Sequence, residues 1–167
     1  MDLTPYVGWI LFLHVAGAFA FVAGHGVSIF VAFRLRHERD RARLAALLDL
    51  STSSLITAGI GLLVLLVSGI LAGIVLGSFG RLWIWISLVL LVVIGGAMTP
   101  LGIMHYGRIR AGLGQRIRGM KETDPAPVPV SDAELAALLE SRRAEMLLLV
   151  GGGGFLVILW LMMFRPF

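Results

Sequence analysis

The chain has 167 residues, 58% of them hydrophobic and 14% charged. A soluble domain of this length cannot bury so much apolar surface, so lipid must solvate its outer faces. There is no cysteine, which excludes a disulfide framework, a thiolate metal site, an iron–sulfur cluster and a cysteine nucleophile; the net charge of +4 is placed for a membrane and not for nucleic acid.

Four apolar runs are long enough to cross a bilayer, which takes about 20 residues at 1.5 Å rise each. They cover residues 6–33, 54–76, 82–106 and 146–164, and none contains Asp, Glu, Lys or Arg. Continuous rather than alternating hydrophobicity excludes a membrane β-barrel. The first run lacks a basic leader and is too long for a signal peptide, so it is expected to persist as a helix. The expected fold is all-α: a single domain, residues 1–167, of four transmembrane helices arranged as two hairpins.

The connections carry the charge. Residues 34–50 hold Arg34, Arg36, Arg39, Arg41 and Arg43 among Leu and Ala, and read as a basic helical extension of the first helix. Asp49, Ser51 and Thr52 then offer cap chemistry for the second helix. Gly77-Ser78-Phe79-Gly80 predicts a tight turn. The third helix is expected to run to about Arg118, with a kink at Pro100. Residues 107–143 form a second basic connection, interrupted by Pro125, Pro127 and Pro129. Ser131 and Glu134 make a capping-box pattern that starts the fourth helix near Asp132, as a rod about 48 Å long. Twelve of the fourteen cations lie in the two basic connections. By the positive-inside rule those connections are cytoplasmic and both termini lie outside. Trp9, Trp83, Trp85 and Trp160 fall at the outer interface as belt anchors. The cytoplasmic arginines are expected to meet anionic lipid.

Histidines are the candidate functional groups, because ligating side chains inside a membrane are costly. His14 and His25 lie eleven residues apart on nearly one face of the first helix, separated by about 16 Å along its axis. Depth counted from the arginines puts His105 about 9 Å from the level of His25, a poor pair for clamping a haem. Met98 matches the depth of His25, and Met162 and Met163 match His14. His/Met ligation suits b-type haem, and soft donors also suit Cu(I). The competing reading of His25 is an interhelical hydrogen bond to Ser28, Ser53, Ser54 or Thr57. Gly69-x-x-x-Gly73 fits a close-packing motif, and Gly151 to Gly154 run without interruption in the fourth helix, leaving a whole turn without side chains. With no acidic residue in any span, a carboxylate proton relay is excluded; no phosphate-binding loop and no serine–histidine–carboxylate set occurs either.

The stretch Trp9-x-x-x-Leu13-His14-x-x-Gly17-Ala18-x-x-x-x-x-Gly24 resembles the opening helix of a group of small bacterial membrane proteins. The group comprises an uncharacterised four-helix integral membrane family, the copper-resistance D family and, more distantly, the four-helix protoporphyrinogen oxidase. The resemblance continues through Arg34-Leu35-Arg36 and Trp83-x-x-x-Ser87-Leu88. It implies the bacterial cytoplasmic membrane, and haem or copper handling by the histidine at position 14. The chain departs from the pattern at Phe21, where tryptophan is common, and at His25, where glycine is common. It also lacks the basic intramembrane residue of the oxidase, which argues against that activity. Two expectations follow: a haem b or copper protein for electron or metal handling, with His14, His25, Met98, Met162 and Met163 as candidate ligands, or a non-enzymatic subunit packed with partner membrane subunits or copies of itself.

Overall fold

In a computed structural model, which describes residues 2–117 and 119–167, four helices are long and apolar enough to cross a membrane. They are α1 (Thr4–Leu35), α2 (Arg41–Val75), α3 (Leu82–Gly112) and α4 (Asp132–Phe164). No strand occurs among the described residues. The expected four-helix transmembrane architecture is therefore the observed one. The most extensive pairing is α1 with α2, and the apolar half of α4 packs chiefly on α3.

Glycine sets the α1–α2 seam. A Cβ on Gly17 would stand 2.7 Å from the Leu65 nitrogen, and one on Gly24 would stand 2.5 Å from the Ser54 oxygen. Gly61 opposes them from α2, where a Cβ would meet the backbone of Ala20 and Phe21. The two backbones thus touch without intervening side chains, as small residues permit in a membrane. Gly69 and Gly73 serve differently from the expected motif: they make room for rings, His14 on Gly69 and Phe79 on Gly73.

The first basic connection departs from expectation. α1 does not continue through residue 50 but stops at Leu35, and a tight turn leads to α2 at Arg41. Asp40 is the cap, its carboxylate accepting the Arg43 N–H at 2.9 Å. Glu38 accepts the N–H groups of Asp40 and Arg39, which hold its carboxyl below the usual range. The basic extension therefore belongs to α2, and Asp49, Ser51 and Thr52 lie inside that helix instead of capping it. Ser51 is buried and shares a hydrogen bond of 2.9 Å with Ser28 of α1. Arg110 reaches from α3 to Asp49 and Thr52, at 2.9 Å each.

Two turns of π-helix interrupt the later helices. Pro100 does not simply bend α3: residues Thr99–Ile103 form a widened turn around it. Proline has no N–H to donate, and a widened turn accommodates that loss. α3 ends at Gly112, short of the expected limit; Gly114 follows with φ +77°, and Arg118 lies outside the described residues. The Ser131 capping box starts α4 at Asp132 as the sequence predicts. The fourth helix is not one rod, however. It breaks after Leu139, resumes at Arg143 and passes through a π-helical segment, Leu148–Gly153.

The packed core lies at the basic end of the bundle. Val31 and Leu35 of α1, Leu44 and Leu48 of α2, Ile109 of α3 and Leu135 of α4 are all nearly inaccessible. Polar contacts close the same end: Arg36 with Glu145, Arg41 with Asp132, and the Arg143 guanidinium donating to the Pro100 carbonyl at 2.8 Å. At the opposite end, Trp9, Trp85 and Trp160 are exposed. Trp83, expected in the same belt, is buried, with the Arg165 guanidinium 5.8 Å from its ring centroid.

Candidate functional site between the hairpins

Two of the three histidines on the spanning helices have a polar partner. The His14 Nδ1–H donates to the Leu65 carbonyl of α2 at 2.9 Å, and the ring lies against Gly69. A carbonyl can only accept, so this bond fixes the tautomer and leaves the Nε2 lone pair unspent. Met162 and Met163 do not join it. They sit on the part of α4 that packs on α3, and Met163 is 72% exposed. His105 is buried at the basic end, its Nε2 3.2 Å from the Ser141 hydroxyl.

His25 is the exception. Its Nε2 is sealed from solvent and has no hydrogen-bond partner among the described residues. The serines expected to satisfy it are engaged elsewhere: Ser28 with Ser51, Ser53 with the Leu50 carbonyl, and Ser54 with the Ser51 carbonyl. Nε2 is pressed toward Gly151 of α4, and a Cβ built on Gly151 would also stand 2.9 Å from the Met98 methyl. The sequence-derived pairing of His25 with Met98 is thus realised as proximity, with Gly151 as the third member. Composition could mark the glycine run as a bare turn. It could not single out Gly151, because register decides which glycine meets the imidazole. Gly152 and Gly153 touch only leucines of their own helix.

Beside this trio lies a cavity of about 170 Å³, bounded by Phe21 and His25 of α1, Met98 and Thr99 of α3, and Gly151 and Phe155 of α4. Both π-helical segments contribute to its wall. Such segments occur frequently at functional sites. Phe21 stacks on His25 with ring centroids 5.7 Å apart and planes within 8°. Among the described residues, no lining residue is Asp, Glu, Lys or Arg. Tyr106 borders the cavity, its hydroxyl donating to the Ser28 carbonyl at a long 3.3 Å.

The donor set meets part of the demand of a metal cofactor. His25 and Met98 are the right atom types for an axial pair on haem, and Gly151 leaves the approach free of side chain. The space does not fit: sites that enclose ligands of drug size run from about 300 Å³ upward, against about 170 Å³ here. For a bare metal ion, no group of three or more His, Cys, Asp or Glu converges among the described residues.

No protein family, curated protein or solved structure matches the chain.

Proposed function

We propose that this protein is a membrane-embedded binding protein for a small lipid-soluble molecule, which it holds between its two hairpins with His25 as the polar anchor. The observation that carries the reading is the unpartnered Nε2 beside an apolar cavity. A buried polar atom without a partner costs about 1–3 kcal/mol. The walls are mostly apolar, which disfavours a resident water. A ligand that brings its own polar group into the cavity relieves it.

The haem b and copper forms of this reading draw on His25 and Met98 and on the resemblance around His14. The size of the cavity and the two-donor set speak against them. On the same reading the arginine-rich end faces the cytoplasm of a bacterial cell, with both termini outside.

The test is solvent extraction of protein purified in mild detergent, with an absorption spectrum and metal analysis of the same sample. The proposal expects a metal-free small molecule in near-stoichiometric amount, lost from a His25→Leu variant that still folds. A Soret band or bound copper lost in that variant would replace the proposal with the metal form. Empty protein that co-purifies with another membrane protein would replace it with the accessory-subunit reading.

A further inference from the structure

We infer that the occupant of the inter-hairpin cavity is an uncharged quinone-type ring carrying an isoprenoid tail, with a ring carbonyl accepting a hydrogen bond from the His25 imidazole. The inference rests on the binding role proposed above and names its ligand.

Charge, size, shape and polarity each narrow the occupant. Among the described residues no acidic or basic side chain lines the cavity, so an ionised head group would find no counter-charge from them there. An apolar cavity of about 150 Å³ takes a benzene-sized ring, and this one has about 170 Å³. One ring fits; a macrocycle does not. Phe21, Phe155 and Tyr106 all line the cavity, the two phenyl rings 5.9 Å apart between centroids, so the walls suit a flat ring. A lipid acyl chain would fill the volume but leave the imidazole unpartnered. A ring carbonyl would not.

A quinone has two carbonyls on opposite sides of its ring, and the cavity supplies a second donor. The Tyr106 hydroxyl reaches the Ser28 carbonyl only at 3.3 Å, and the Thr99 hydroxyl reaches the Gly95 carbonyl only at 3.4 Å. Both bonds are long, so either hydroxyl can turn to a better acceptor. Met98 is unbranched and flexible, and its methyl lies with Nε2 against Gly151, so it can yield to an entering ring. The tail leaves between the hairpins, where the cavity is not enclosed, and continues into lipid.

The experiment uses the full chain in nanodiscs, stripped of endogenous lipid-soluble compounds, and titrates decylubiquinone against decylbenzene. Thermal stabilisation gives the apparent affinity. The quinone is expected to stabilise the wild type, and decylbenzene to act at least about tenfold more weakly, since it keeps ring and tail but lacks the carbonyls. His25→Leu is expected to lower quinone affinity about tenfold, whereas His14→Leu leaves it unchanged. Gly151→Ala, which sets a methyl against Nε2 and Met98, is expected to weaken it as well. Equal stabilisation by both compounds overturns the quinone assignment and leaves the binding role standing. No stabilisation by either overturns both. Quinone affinity unchanged in a folded His25→Leu protein overturns the assignment of the anchor.

Discussion

Two regions of one helix carry opposite solutions to the same problem. Near one end of α1, His14 crosses a seam whose glycines bring the backbones together, and a carbonyl of α2 is within its reach. As far from the other end, His25 faces the other hairpin, where glycine and methionine offer it nothing to bond. The residue type and helix are the same; the neighbouring element differs. A membrane histidine is therefore structural or functional according to what the facing helix presents, and the seam and the gap should respond differently to substitution.

The largest effect is expected from filling the seam. Gly61→Leu drives a side chain into the backbone of Ala20 and Phe21, neither of which can yield as a flexible side chain would. The expected loss is about 3 kcal/mol or more, seen as failure to purify or a large drop in Tm. The same substitution at Gly59, which meets nothing within 4 Å, is the control and should leave Tm nearly unchanged.

Next is the gap. His25→Leu removes an unpaired buried nitrogen and supplies an apolar side chain. In ligand-free protein it should raise stability by about 1–3 kcal/mol, read as a higher Tm. His14→Leu should act in the other direction and more weakly, since interhelical hydrogen bonds in membranes average about 0.6 kcal/mol. Smallest is the basic end. The Arg36–Glu145 pair has a half-exposed carboxylate, and surface pairs are screened by salt. Glu145→Gln should change Tm slightly at low ionic strength and not measurably at high.

Much of this was legible in the sequence for physical reasons. Hydrophobic length fixes the four spans, and the Ser131 capping box fixes the start of α4, because both are local. Counting depth from the arginines brought Met98 to His25, since rise per residue is nearly constant in any helix. Depth alone could not show that His14 turns toward Leu65 and Gly69 of α2, because it does not say which way a side chain points or which helix is adjacent. The end of α1 was misplaced because Arg, Leu and Ala favour helix on both sides of the Glu38–Asp40 turn, and the Asp40 cap is only one residue. The π-helical turns left no signal beyond Pro100 and the glycine run. Whether Nε2 of His25 finds a partner depends on the rotamers of three other helices, which no local pattern encodes.

The central claim is that the gap at His25 is built for a ligand while the seam at His14 is built for packing. The most direct test is thermal denaturation of ligand-stripped wild type, His14→Leu and His25→Leu, measured side by side in the same nanodiscs. Tm is expected to fall for His14→Leu and to rise for His25→Leu. A fall of similar size in both would show that His25 is already satisfied within the fold, and would contradict the account.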